Sequence, residues 1–411
     1  MKRRVVITGM GVVSSFGQDL ESFRDSLLDG ISPAGPITVF DPASLPTRIA
    51  AEVKAEKLPT QSKDRKVAFG IVSAVRSAHD ANRSGASLER FYGEGSGGIS
   101  FGIGLELFSM PDMIRLRKKG EGQNGSGPDS LTFLQTPSDL CIQSICEELK
   151  LYAPPLMHIS ACSASTDAIG TAFKMIQSGR RAWMIAGGTD SMINPMGVAG
   201  FCKIQAMTRN NDAPKKASRP FDSERDGFLL GEGAAALVLE PLDEAIKRGA
   251  KIYAEILGYG NSFDAHGISE PHPEGEGACL SMTRALRDAL LSPEHISHIS
   301  AHGTSTPKND LVETMAIRKV FGHHADSLTV NSTKSMIGHL ISASGAVESA
   351  ALVVCANAGW AHPTINIENR DPQCDLNYVP KRPVKLSGKY FLKNSFAFGG
   401  QNASLVFALH E

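Results

Sequence analysis

Three residues in this chain have the types and surroundings for covalent chemistry: Cys162, His302 and His339. Cys162 stands in the stretch HISACSASTDAIGTAF, between a short apolar strand (Leu156, Met157, Ile159) and a helical stripe of Ala168, Ile169, Ala172, Phe173 and Ile176 ended by Gly179. A cysteine there lies near a helix N-terminus, where unpaired N–H groups and the positive end of the dipole favour thiolate. A lone small cysteine more often only fills space. Two histidine loops argue otherwise. His302 ends an apolar strand in AHGTSTPKND, and His339 closes the loop TKSMIGH after the strand LTVNS. Two neutral imidazoles can donate N–H bonds to one developing oxyanion, as an enolate requires, and a thiol beside them suits an acyl-enzyme attacked by a carbon nucleophile. Lys334, five residues before His339 in an otherwise uncharged loop, is expected to ion-pair inside the site with Glu348. In FLKNSFAFGGQNASLVFAL a flexible turn at Phe398 joins two strands; it is either a simple hairpin or a site element whose Phe398 N–H completes an oxyanion hole with that of Cys162 while its ring covers the thiol.

The elements that hold these groups alternate between strand and helix, which makes the chain α/β. Strand VVITG opens it, a helix follows from about Asp19 to Gly30, and Ser32 to Leu58 reads as a loop layer over the core. The stretch Lys63 to Asn82 has Val67, Ile71, Val75 and Ala78 on one helical face, with Lys63, Arg65 and Lys66 at the end the dipole disfavours. Those cations are either a solvated helix start or a docking patch for an acidic partner. The glycines of GEGSGGISFGIG match neither GxGxxG nor GxxxxGK[ST], so close packing is expected there instead of a phosphate loop. Residues 110–128 read as an exposed insertion, Leu131 to Leu151 as a helix, and Asn309 or Asp310 as the cap of the helix LVETMAIRKVF. The strand-turn IYAEILGYGNS echoes VVITGMGVVSS. That echo and the repeated element order imply a duplication with halves at residues 1–250, carrying the cysteine, and 251–411, carrying both histidines. The helices after Cys162 and after His339 are small-residue on nearly every side, as expected of two central helices buried between sheets.

Composition narrows the function. Lys plus Arg number 42 against Asp plus Glu 43, so no global charge points to nucleic acid or a membrane surface. The seven cysteines are odd in number and scattered without metal spacing, which fits a reduced cytoplasm better than a disulfide framework. No apolar run reaches the ~20 residues that span a bilayer.

Taken together, ACSAS at Cys162, RPFDSERDGFLLGEGAAALVLE, AHGTSTPKND, NSTKSMIGHLISASGAVES and NSFAFGG make the chain similar to the β-ketoacyl-[acyl carrier protein] synthases, the type II elongating condensing enzymes. The resemblance runs over essentially the whole chain. It implies the thiolase-like fold, a duplicated five-layer αβαβα arrangement, as a homodimer. It implies a Cys-His-His site at Cys162, His302 and His339, a supporting ion pair at Lys334 and Glu348, pantetheine contacts at Thr304 and Thr306, a gate at Phe398 and an acyl pocket reaching Phe133. Acyl carrier protein is the implied partner, received by Lys63, Arg65, Lys66 and Arg209. Substrates arrive on its phosphopantetheine, with no metal or free cofactor. The expected reaction is decarboxylative condensation of a Cys162-bound acyl chain with malonyl carrier protein in fatty acid elongation. A specialised polyketide, polyene or unusual-lipid ketosynthase, and a non-catalytic chain-length-factor partner, are the alternatives. The chain departs from the family at Ala397, where glycine is common and backbone freedom is expected to be lost, at Gln401, and at Thr166 and Asp167 in place of an Ala-His pair.

Overall fold

The computed structural model describes residues 2–54, 64–105 and 137–410. Phe133, Lys63 and the insertion at 110–128 lie outside them. Ten strands form one sheet: β1 (Val5–Val13), β2 (Gly98–Ile103), β3 (Leu156–His158), β4 (Met184–Ser191), β5 (Glu232–Pro241), β6 (Ala254–Phe263), β7 (Ile296–Ser300), β8 (Thr329–Asn331), β9 (Tyr390–Phe396) and β10 (Gln401–Ala408). Their order is β8-β7-β9-β10-β6-β1-β5-β4-β2-β3. Reading outward from the β1–β6 seam, each run of five has the same order and the same senses. Its first strand pairs antiparallel with its fifth and the fifth antiparallel with the fourth; the fourth is parallel to the second and the second to the third. A short antiparallel pairing of Val5–Ile7 with Ala254–Ile256 joins the two runs.

Of the helices among the described residues, seven carry the layers: α1 (Leu20–Leu28), α2 (Arg65–Ala81), α3 (Pro137–Glu148), α4 (Ala164–Gln177), α5 (Glu276–Ala289), α6 (Pro307–Phe321) and α7 (Ser344–Asn357). Helix α2 covers the outer face of the first five strands with α3 packed on it, and α5 covers that of the second five with α6 packed on it. Between the two runs lie α4 and α7, each packed on strands of both. This is the expected duplicated αβαβα arrangement. In α7 thirteen of fourteen residues are buried, which only a helix covered on every side can manage. Gly345 lets α7 cross α4, since a Cβ there would stand 2.0 Å from Thr166 Oγ1.

The echo between the two strand-turns has a packing cause. Side chains at Gly9 and Gly11 of β1 would strike the carbonyls of Ser77 and Ser73 on α2, at 2.3 and 2.1 Å. At Gly258 and Gly260 of β6 they would strike those of Ala285 and Ser281 on α5, each at 2.2 Å. Both runs of five strands let a helix approach at the same two positions, so the pattern G-x-G is needed twice. The glycine-rich segment leading into and through β2 also serves close packing: Gly97 lies against Trp183, and Gly102, within the strand, against the backbone of Ala164 and Ser165.

Three local expectations need correction. Asp64 caps α2 through Lys66 N–H, so the helix begins at Arg65. Helix α6 begins at Pro307, earlier than expected, because proline suits the first helical position; Asp310 is in its first turn and caps nothing there. The segment from Ser32 is a loop layer except for a two-residue pairing of Gly35–Pro36 with Ile49–Ala50.

Candidate active site

Equivalent strands deliver the thiol and one of the histidines. After β3 the chain makes a 3₁₀ turn, Ala161–Ser163, and enters α4 directly; after β8 it passes Lys334 and His339 to a second 3₁₀ turn, Ile341–Ala343, and enters α7. Both turns open on a non-glycine residue in the left-handed region, Ala161 at φ 46° and Ile341 at φ 43°. Such strain persists only where the surroundings over-determine it. His302 follows β7, and the turn between β9 and β10 brings Phe398 over the same point.

These groups converge. Cys162 Sγ is 3.1 Å from His339 Nε2, the two imidazole centroids are 5.4 Å apart, and all three side chains are buried. Each ring's neighbours fix its tautomer, because a group that can only donate must face an acceptor nitrogen. His339 Nδ1 accepts from the Ile341 N–H at 3.2 Å and from the Ser344 hydroxyl at 2.8 Å, whose oxygen in turn accepts from the Leu340 N–H. His302 Nδ1 accepts from the Lys334 ammonium at 3.4 Å. Both rings therefore carry their proton on Nε2. Burial, first, and then the Lys334 and Lys393 charges hold both well below the ordinary histidine range, so both are neutral.

The surrounding network holds this geometry. Lys334 Nζ pairs with Glu348 Oε1 at 2.5 Å, both buried. Glu313 on α6 accepts the backbone N–H groups of His302 and Gly303, each at 2.8 Å. Asp310 accepts those of Thr304, Ser305 and Phe221, which explains why it is not a helix cap. Asp167 accepts from Ser160, Ser163 and Tyr259, and Thr166 Oγ1 is 2.7 Å from Ser395 Oγ, so the unusual Thr-Asp pair is fully engaged. A cavity of about 360 Å³ reaches the thiol past Thr304, Thr306 and Phe398. The two threonine hydroxyls are 2.8 Å apart. Beneath Cys162 lies an apolar cluster that includes Met192, Ile193, Phe201 and Phe228.

Several site expectations change. Helix position does not make the resting thiol acidic: burial pushes Cys162 up to about 11, and the Phe398 N–H and the Lys334 charge offset that only in part. Lys66 is no docking residue. Its side chain is fully buried, paired with Asp64 at 2.9 Å and donating to the Leu105 carbonyl. Arg65 is turned inward onto Glu232 at 2.6 Å, where a solvent-facing patch was expected. Arg209 is exposed near the cavity mouth, its N–H bonded to Asp226. Ala397 costs no backbone freedom, since the left-handed positions of the turn are Gly399 and Gly400. Sequence reasoning missed Glu313 and Lys393 and gave Asp310 only a capping role. A lysine directly after the apolar run Tyr390, Phe391 and Leu392 of a strand was the available signal for Lys393.

One sulfur and two imidazole nitrogens within 4.8 Å of one another also resemble a metal site. The tautomers oppose it. A metal on either Nε2 would move the proton to Nδ1, where Ile341 N–H and the Lys334 ammonium already donate.

A thiol and two neutral N–H donors facing one cavity match what the sequence shares with known proteins. Residues 2–245 match the β-ketoacyl synthase N-terminal domain, and residues 253–368 the C-terminal domain. The chain belongs to the β-ketoacyl synthase family. Among relatives of this β-ketoacyl synthase, the 3-oxoacyl-[acyl-carrier-protein] synthase 2 of Synechocystis is 40% identical, covering 100% of this chain and 99% of its own. That of Coxiella burnetii is 41% identical over 98% of each. Among solved structures, a β-ketoacyl synthase from Burkholderia phymatum superposes with a TM-score of 0.90 at 31% identity over both full chains. A type II polyketide ketosynthase in complex with its acyl-carrier protein reaches 0.88 at 29% identity, also over both full chains.

Proposed function

We propose that this β-ketoacyl synthase catalyses the decarboxylative condensation of fatty acid elongation, and the observation that carries the reading is the pair of Nε2–H groups facing Cys162. In the first step Cys162 sulfur attacks the thioester carbonyl of an acyl carrier protein. The new C–S bond forms, the bond to pantetheine breaks, and the thiol proton leaves on the pantetheine sulfur. The N–H groups of Phe398 and of Cys162 at the helix start serve the oxyanion of that step. In the second step malonyl carrier protein loses CO2. The C–C electron pair passes into an enolate whose oxygen accepts from His302 and His339, and Thr304 and Thr306 hold the pantetheine arm. The enolate carbon then attacks the acyl-enzyme, releasing 3-oxoacyl carrier protein and Cys162 thiolate, which takes a proton from solvent. Lys334 and Glu348 keep His302 in the donating tautomer, and Phe398 gates the thiol.

The full-length relatives near 40% identity favour elongation over a specialised pathway, and an intact trio disfavours a chain-length-factor partner. On this reading the protein is cytoplasmic, and no helix among the described residues is long and apolar enough to cross a membrane. It is a homodimer, supported by the sheet edge at β3, which no other strand among the described residues pairs, and by the exposed Met157 and Ile159 beside it. Residues 1–250 form the half with the nucleophile and 251–411 the half with both histidines. Carrier-protein docking rests on Arg209, and on Lys63 outside the described residues. Arg209→Glu is expected to raise the KM for acyl carrier protein severalfold with kcat kept; an unchanged KM would leave Arg209 a solvated charge. The functional test is incubation with an acyl carrier thioester and then malonyl carrier protein. Acyl on Cys162, followed by 3-oxoacyl carrier protein and CO2, is the expected result; acyl on any other residue contradicts it.

A further inference from the structure

Strand β9 carries a lysine where burial should forbid one. Its inward residues are Phe391, Lys393 and Ser395, and Lys393 is wholly buried. An unpaired ammonium there would cost several kcal/mol. Lys393 Nζ instead lies 2.8 Å from Glu348 Oε2, the oxygen that Lys334 does not take, and donates to Ser395 Oγ at 3.1 Å and to the Asn394 carbonyl. Glu348 is thus shared by two lysines. Ser395 continues the chain of bonds to Thr166 on the cysteine helix.

Resting on the proposed reaction, we propose that Lys393 is a positioning residue for the condensation: it holds Glu348 Oε2 so that Lys334 keeps donating to His302 Nδ1, and it supplies a second fixed positive charge behind the histidine pair. A single lysine on Glu348 would give a neutral pair. Burial lowers Lys393 from the ordinary lysine value, and Glu348 and then Glu313 oppose that. With both lysines charged, the Lys334–Glu348–Lys393 triad carries an excess positive charge beside the cavity in which a malonyl carboxylate is lost and an enolate forms. The charged and titratable groups around the imidazoles are Lys334, Lys393, Glu348, Glu313, Asp190 and Cys162. Of these the two lysines oppose protonation of both rings. Protonated His302 would present an N–H where Lys334 already donates, so only the neutral ring fits this geometry.

The test is the pH profile of kcat/KM for CO2 release from malonyl carrier protein by the full-length protein. Lys393→Gln removes the charge and keeps a donor group near Ser395; Lys393→Met removes both. Without the charge the histidines protonate more easily, so the acid limb of both variants moves to higher pH, by roughly half a unit or more. Lys393→Arg keeps the wild-type limb. Limbs that superimpose on wild type in Lys393→Gln and Lys393→Met reduce Lys393 to packing and overturn the inference. Should neither neutral variant fold, a displaced limb in Lys393→Arg overturns it and an unmoved one sustains it. A wild-type protein that releases no CO2 instead overturns the functional reading, and the inference with it.

Discussion

Cys162 and the two histidines divide the chemistry between them, and their variants separate accordingly. The histidines hold the enolate, so His302→Ala or His339→Ala is expected to lower CO2 release from malonyl carrier protein by about 10²–10³-fold while Cys162 still accepts an acyl group. The thiol's burial has its own consequence. With Cys162 pushed up to about 11, alkylation by iodoacetamide is expected to keep rising with pH beyond 9. A rate that levels off near pH 7 would show a resting thiolate and refute that account. The type of each reacting group was legible in the sequence, because cysteine and histidine in glycine- and serine-containing loops after strands are few. The protonation state was not. It depends on Ile341 N–H, Ser344 and Lys334 meeting the rings from positions that only the fold defines.

At the scale of elements, the repeated G-x-G marks where helices press on the sheet. Gly260→Ala would put a Cβ 2.2 Å from the Ser281 carbonyl and is expected to destabilise the protein by about 1–3 kcal/mol, read as a lowered urea midpoint. An unchanged midpoint would mean that α5 can move away without cost. This packing is why the duplication could be read from two short segments of otherwise dissimilar sequence. The basic start of α2 could not be read in the same way. Three cations in four residues look solvated or docking-competent, yet Glu232 and Asp64 arrive from other elements and draw Arg65 and Lys66 inward. Asp310 misled for a related reason: an acidic residue near a helix start caps it unless loop N–H groups elsewhere claim the carboxylate, as those of Thr304, Ser305 and Phe221 do.

At the scale of the molecule, buried neutral histidines set how stability depends on pH. His298 and His362, held down to about 3 and about 4 chiefly by burial, join His302 and His339. All four are depressed in the folded state. Their contribution is therefore present above the unfolded histidine value near 6.5 and is lost as pH falls below it. Asp190, pushed up to about 6 by burial, opposes this slightly in that window, and Glu232, Asp310 and Glu313, also raised by burial, act in the same direction as Asp190. Between pH 7.5 and 6 the unfolding free energy is expected to fall by on the order of 2–3 kcal/mol. Urea titrations at the two pH values measure it, and a midpoint that stays level or rises would show that these rings are protonated in the fold.

The most direct measurement of the central division of labour is CO2 release from malonyl carrier protein by Cys162→Ala beside His302→Ala, with no acyl primer present. The account predicts continued CO2 release by Cys162→Ala, whose imidazole donors are intact, and a collapse in His302→Ala. Loss of release in Cys162→Ala together with retention in His302→Ala would contradict it.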